Sequence, residues 1–249
     1  MSILSFAKMQ AQGNDFVLVD QRIHKGGKHI CWSEDLVRAL AQRRFGIGCD
    51  QILVLEDGVC SNVRMRIFNN DGSTAANCGN GLRCAGFWLM EHGEHAPVNI
   101  ELDDRTVQVD QGETGIRVMM GRAVIIEETD KHTDIDIGNM HRVVFEATEA
   151  IPEDRNIELV SAQIEDHVWI DIIERGAGRT LACGSGACAT AAAVWHREGH
   201  VRPLTIEMPG GRVLVHGSLD AMWLEGEVRH VFDGVITNLD SFFLPETDD

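Results

Sequence analysis

The sequence predicts an α/β fold of the α+β kind: two pseudo-symmetric domains, each a curved, mostly antiparallel sheet around one central buried helix. Three observations predict it. Short β-branched strands punctuated by turn residues recur along the whole chain. Only two long apolar helical segments are present, "GLRCAGFWLMEHG" and "GACATAAAVWHREG", one in each half. Each is introduced by the same kind of turn, "NCGNG" around Cys78 and "ACGSG" around Cys183, 105 positions apart.

Taken in order, "SFAKMQAQGNDFVLVDQR" reads as two strands around a Gly-Asn-Asp turn. "WSEDLVRALAQRRFGIG" reads as a helix: Ser33 is its N-cap, acids fill the first turn, basics the last, and Gly46 stops it. "QILVLEDG", "NVRMRIFN", "VNIELDD", "TVQVDQG" and "GIRVMMG" are short strands. From about residue 120 the pattern repeats as "DIDIGNMHRVVF", "NIELVSAQ" and "VWIDIIERG". The helix and the strands "PLTIEMPGG", "RVLVHGS" and "MWLEGEV" follow. The second helix is almost entirely small and apolar for three turns, so it belongs in an interior. The expected domains are 1–119, carrying Cys78 and completed by the C-terminal strand in 230–249, and 120–229, carrying Cys183. "PETDD" reads as a frayed acidic tail.

The 249 residues, 44% of them hydrophobic, suffice for two modest cores. There is no apolar run of membrane-spanning length, and "MSILSFAKMQAQ" lacks a basic n-region and a long apolar core, so a cytoplasmic protein is expected. A net charge of −17 argues against nucleic-acid or anionic-membrane partners, which it would repel at long range. It leaves room for an anionic small ligand at a local helix N-terminus. The seven cysteines are odd in number and form no CxxC pair, which fits reduced thiols and no metal site.

In both turns the cysteine stands just before Gly-x-Gly and a helix start. The glycines allow a sharp turn and bring unpaired amides close to a ligand, where a carboxylate docks well. A cysteine there also feels the positive end of the helix dipole, which lowers its pKa from about 8.5 toward neutrality. Two such turns facing each other about a pseudo-twofold axis would aim two thiols at one carbon from opposite sides. That geometry fits stereoinversion, one thiolate removing an α-proton and the other thiol delivering one. A buried, inert cysteine explains either turn alone. Core packing does not require the same turn twice.

These residues resemble the diaminopimelate epimerases, the cofactor-independent enzymes that interconvert LL- and meso-diaminopimelate for lysine and peptidoglycan precursor synthesis. The resemblance is carried by "GNDF" at 13–16, "GIGCDQ" at 46–51, "RIFNNDGS" with "CGNGLRC", and "GNMH" at 138–141. It continues through Asn156 in "IPEDRN", "ERGAGRTLACGSGACA", and "HVFDG" at 230–234. It implies that Cys78 and Cys183 are the acid/base thiols, with His141 near Cys78 and Glu174 near Cys183 helping to set their protonation. It implies that Gly79, Asn80, Gly184 and Ser185 serve the reacting carboxylate. Asn14, Gln51, Asn69, Asn139, Asn156, Glu174 and Arg175 would hold the amino and carboxylate groups of a two-ended substrate, usually within a homodimer. Arg175 suits a distal carboxylate because its guanidinium binds one bidentately.

Where the family usually has Gly, Pro, Arg, an aromatic residue, Glu and Tyr, this chain has Ala11, Met140, Asp171, Ile173, Arg179 and Phe232. The segment 121–137 is short for the family. Two other readings compete: a racemase of the same fold acting on another amino acid such as histidine, and a non-catalytic amino-acid binding protein. A pyridoxal-phosphate enzyme would need a Schiff-base lysine, and Lys8, Lys25, Lys28 and Lys131 lie in no motif of that kind.

Overall fold

The computed structural model describes residues 3–23, 26, 29–146 and 152–242, apart from the side chains of 240 and 241. The expected acidic tail at 245–249 lies outside them. The elements in chain order are β1 (Leu4–Ala11), β2 (Asn14–Asp20), α1 (Glu34–Ala41), β3 (Gln51–Glu56), β4 (Val63–Asn69), β5 (Thr74–Ala75), α2 (Gly79–Glu91), β6 (Val98–Glu101) and β7 (Thr106–Gln111). Then come β8 (Ile116–Gly121), β9 (Val124–Glu128), β10 (His132–Asp136), β11 (Met140–Val144), β12 (Asn156–Ile164), β13 (His167–Glu174) and β14 (Gly178–Thr180). Last are α3 (Gly184–Glu198), β15 (Leu204–Met208), β16 (Gly211–Ser218), β17 (Ala221–Gly226) and β18 (Arg229–Ile236). The fold is mixed α/β, mostly sheet, in two repeated domains.

The chain divides into two compact units: Met1–Ala11, Asp15–Gln108 and Val228–Asp249 form the first, Gln12–Asn14 and Val109–Glu227 the second. In the first, β18 returns to pair antiparallel with β1, Leu4 opposite Ile236. In the second, β8 pairs antiparallel with β17, Val118 opposite Leu224, so the chain after Val109 belongs with that sheet.

Ser33 caps α1 as its position demands, its side chain accepting the Leu36 N–H. The helix ends at Ala41, five residues before Gly46, because the chain folds back on it there. The Ile47 and Gly48 amides donate to the Leu40 carbonyl and the Cys49 amide to that of Ala41, ending the helix ladder early. "DIDIGNMHRVVF" is a hairpin rather than one strand: β10 and β11 pair antiparallel around Gly138, whose φ of +90° is readily adopted only by glycine.

Each unit contains the same topology. In the first, β2 runs parallel to β3, β3 antiparallel to β4, and β4 antiparallel to the short β5, and after α2 the chain re-enters as β6, parallel to β4. In the second, β11, β12, β13, β14, α3 and β15 repeat these relations in order. The registers match where the strands carry the site; farther out, β12 has a bulge between Val160 and Ala162 that β3 lacks. Phe16 pairs with Gln51 and Gln51 with Asn69; correspondingly His141 pairs with Asn156, and Ile157 opposite Ile173 sets Asn156 against Glu174. The helix of each unit is buried as an interior helix should be: Leu82, Cys84, Ala85 and Leu89 of α2, and every residue of α3 from Ala187 to Trp195, are buried.

Candidate active site

The duplication places the predicted residues in equivalent pairs. Asn14 follows Gly13 (φ +81°) as Asn139 follows Gly138 (φ +90°), each at the entry to the first strand of the motif. Gln51 and Asn156 open the second strands, and Asn69 and Glu174 close the third. Cys78 and Cys183 are the N-caps of α2 and α3, with extended backbones (φ −153° and −132°). Each sulfur accepts a hydrogen bond from the amide three residues on: Gly81 to Cys78 Sγ at 3.3 Å, Gly186 to Cys183 Sγ at 3.4 Å. A cysteine thus does the capping that Ser or Asp does elsewhere, and Gly79, Asn80, Gly184 and Ser185 form the two first helical turns.

In the first unit Gln51, Asn69 and Asn80 are neutral amides. Gln51 Nε2 donates to Asn69 Oδ1 (2.9 Å), and Asn69 Nδ2 donates to Ser73 Oγ (3.0 Å). Gln51 Oε1 is buried without a partner among the described residues. Asn80 is buried, its carboxamide oxygen accepting from the fully buried Arg83 (2.7 Å). Asp15, beside Asn14, is structural. Burial alone would raise its carboxyl, but hydrogen bonds from Arg43 and Lys8 hold it at about 2.

In the second unit Glu174 takes the place of Asn69, and His141 and Glu158 take those of Phe16 and Leu53. His141 Nδ1 and Glu158 Oε1 are 2.8 Å apart, and both side chains are fully buried. Burial pushes the Glu174 carboxyl up; the Thr180 hydroxyl opposes this and the Glu158 charge adds to it. Burial, then the charges of Glu174 and Glu158, push the Cys183 thiol well above its ordinary range, outweighing the contacts from Ser185 and the Gly186 amide. The expectation that a helix N-terminus lowers the thiol pKa therefore fails at Cys183, because desolvation and two carboxylates outweigh a partial dipole charge. Asn156 is buried and its Oδ1 accepts the Arg175 amide (2.9 Å), fixing the β13–β14 turn. The Arg175 side chain and Asn139 are exposed.

Sequence reasoning missed Glu158. The signal was available: with the halves aligned on their cysteines, "QILVLE" falls on "NIELVS", and Glu158 stands where Leu53 stands. Two of the departures from the family pattern answer each other. Asp171 on β13 and Arg179 on β14 form a pair at 3.9 Å, the reverse of the usual Arg and Glu, so the cross-strand attraction is kept with its signs exchanged. Glu127, His132 and Asp134 bring ligand atoms within 4.8 Å of one another, but Arg142 and Arg155 engage both Asp134 oxygens at 2.6 Å, which makes the group an ion-pair network.

The family model for diaminopimelate epimerase matches residues 6–126 and again 123–231, one copy per half. The chain belongs to the diaminopimelate epimerase family. Members of that family are isomerases, and so is this chain. The diaminopimelate epimerase of Halorhodospira halophila is 32% identical, the match covering 94% of this chain and 95% of that one. That of Xylella fastidiosa is 35% identical over 93% and 96%. Among solved structures, a Bacillus anthracis phenazine biosynthesis protein of the PhzF family shares the fold (TM-score 0.69, 16% identity, 95% and 99% covered). So does a hydroxyproline epimerase from Agrobacterium vitis (TM-score 0.65, 11% identity, 94% and 92% covered). The family resemblance and the internal duplication thus coincide on the same two cysteine turns.

Proposed function

We propose that this protein epimerises LL-diaminopimelate to meso-diaminopimelate and back, in lysine and peptidoglycan precursor synthesis in the cytoplasm, with Cys78 and Cys183 as the two acid/base groups and no cofactor. The observation that carries the reading is the equivalence of the two cysteines: each caps the buried helix of one copy of a duplicated motif, in a chain of this family.

One sulfur takes the α-proton from one face while the other thiol gives a proton to the opposite face, so the carbon inverts without passing the same proton back. Helix N-terminal amides at Gly79, Asn80, Gly184 and Ser185 stabilise the negative charge that spreads onto the carboxylate as the α-proton leaves. Burial and the charges of Glu174 and Glu158 favour the protonated Cys183, which gives the proton in the direction where Cys78 takes one; the roles exchange on the way back. His141 and Glu174 help to set the protonation of the two thiols. Asn14, Gln51, Asn69, Asn139, Asn156 and Arg175 hold the polar ends of the substrate, Arg175 taking the distal carboxylate.

The test is turnover in D2O of LL-diaminopimelate beside histidine and other one-ended amino acids. Inversion with deuterium entering the α-position of diaminopimelate alone is expected. Retention of the α-hydrogen would sink the two-thiol mechanism, preference for histidine would transfer the activity to another amino acid, and C78A and C183A variants with undiminished turnover would remove the cysteines from it.

We further read the protein as a homodimer. Val231, Phe232 and Val235 on β18 expose apolar side chains, with Phe232 edge-on to Phe6 of β1 at 6.1 Å. Light scattering should give twice the chain mass, falling to one chain mass in F232E.

A further inference from the structure

The two copies of the motif differ most at one buried pair. In the first unit the positions are Phe16 on β2 and Leu53 on β3, both fully buried and apolar. In the second they are His141 on β11 and Glu158 on β12, equally buried and joined by a hydrogen bond of 2.8 Å. The surrounding backbone is the same in kind. A methyl on Gly81 would meet Leu53 Cδ2 at 3.0 Å, and one on Gly186 would meet Glu158 Oε1. The first unit shows that this fold packs the site with hydrocarbon alone. The cost of desolvating an imidazole and a carboxylate in the second unit therefore has no structural return.

Two further atoms point the same way. His141 Nε2 and Glu158 Oε2 are buried and have no partner among the described residues, whereas a buried histidine with a purely structural role satisfies both nitrogens. The charged and titratable groups that act on this pair come from β13 and α3: Glu174 and Cys183, whose titrations respond to His141 or Glu158.

We propose that Glu158 is a positioning residue: it accepts a hydrogen bond from His141 Nδ1–H, fixes that tautomer and ring orientation, and so makes Nε2 the proton-exchanging nitrogen. A carboxylate at Nδ1 favours a proton there and leaves the Nε2 lone pair free, and it stabilises the imidazolium that forms when Nε2 takes a proton. The role at Nε2 rests on the reading of His141 as part of the proton-handling machinery. The pairing at Nδ1 does not.

The experiment uses the full-length protein with 15N-labelled histidine, the His141 signals being assigned by their loss in H141Q. Wild-type protein should show the Nδ1–H tautomer, and E158Q should lose that signature, because the carboxamide no longer selects it. In E158Q kcat should fall about 100-fold with KM within about twofold, and the acid limb of the pH–rate profile should move; E158D should recover part of kcat. The double variant H141F/E158L copies the first unit's apolar pair and should unfold within a few degrees of wild type while losing α-deuterium exchange. Unchanged 15N signals in E158Q would overturn the pairing. Wild-type kcat and pH profile in E158Q, or full exchange in H141F/E158L, would overturn the positioning role. If the wild-type protein epimerises no diaminopimelate, the function proposed above falls by itself, and the tautomer comparison still decides what Glu158 does to His141.

Discussion

Replacing Gly186 with alanine should destabilise the protein by about 1–2 kcal/mol, and the cost should vanish when Glu158 is removed. The added methyl would run into Glu158 Oε1 and lie 3.0 Å from its Cδ and 3.2 Å from its Cγ. Ordinary contact needs about 3.5 Å or more, so the carboxylate must withdraw by about 1 Å. A bond of 2.8 Å to His141 does not survive that shift. Losing a buried hydrogen bond to a charged group costs about 1.5–3 kcal/mol, against about 1 kcal/mol gained by taking a glycine out of a helix. Gly186 has no positive φ, so the backbone accepts alanine without strain. In the E158A background the methyl enters the space left by the carboxylate, and G186A should stabilise by about 1 kcal/mol. The double-mutant coupling is then about 2–3 kcal/mol, readable from urea unfolding of four proteins. At the equivalent position, G81A meets the mobile end of Leu53 at 3.0 Å and makes ordinary contact with Cys78 at 3.4 Å, and should change stability by less than about 1 kcal/mol. Additive effects of G186A and E158A would refute the steric account.

Four other perturbations test separate parts of the structure. The Asp15 carboxyl is depressed from 3.8 to about 2, so its stabilisation is fully present above about pH 4 and is lost as the pH falls toward 2. D15N should lose about 2 kcal/mol at pH 7 and flatten the acid limb of the stability curve; an unchanged limb would show that Arg43 and Lys8 do not hold that charge. Burial raises the Cys49 thiol from 9.0 to about 12, so folded protein keeps a proton that the unfolded chain releases above about pH 9. Stability should fall across that alkaline window and fall less steeply in C49A, as followed by thermal melts. Cys183 should resist iodoacetamide at pH 8, and E174Q, which removes the larger of the two charges raising its thiol, should speed alkylation about tenfold or more; no acceleration would refute the electrostatic coupling. The single change R179E sets two acids against each other across β13 and β14 and should cost up to about 0.5 kcal/mol, restored in D171R/R179E.

Much of the fold was legible because each half announces itself locally. Cysteine, two glycines and an apolar run specify a turn and an interior helix, and Ser33 with Glu34 and Asp35 specifies the start of α1. Its end was not legible: the stop at Ala41 is imposed by amides from residues 47–49, a tertiary constraint that no helix periodicity carries. The hairpin at Gly138 was hidden for the same kind of reason, since β10 and β11 form one unbroken alternating stretch and only the positive φ divides them. Within the site, residue identity was readable and electrical environment was not. A helix N-terminus beside Cys183 is visible in the sequence; the two carboxylates that overrule it come from β12 and β13 and meet it only in the folded unit.

That environment supplies what duplication by itself cannot. Two identical halves would give their cysteines the same proton affinity, and a two-base inversion needs one sulfur with a proton and one without at the start of each turnover. The second unit breaks the equality with buried charge. Asn69 and Leu53 of the first become Glu174 and Glu158 in the second, where burial and both acids raise the Cys183 thiol. At the site the asymmetry lies in side chains: strand order, the register beside the site and the capping bond to sulfur are the same in both copies. Removing that charge should lower the affinity of Cys183 for the proton. In a protein carrying E174Q, E158L and H141F together, Cys183 should lose the part of its raised affinity that the two acids supply, the part due to burial remaining. Its alkylation rate at pH 8 should then rise, and a Cys183 that stayed as unreactive as in the wild type would show that burial alone, and not the two acids, sets its state.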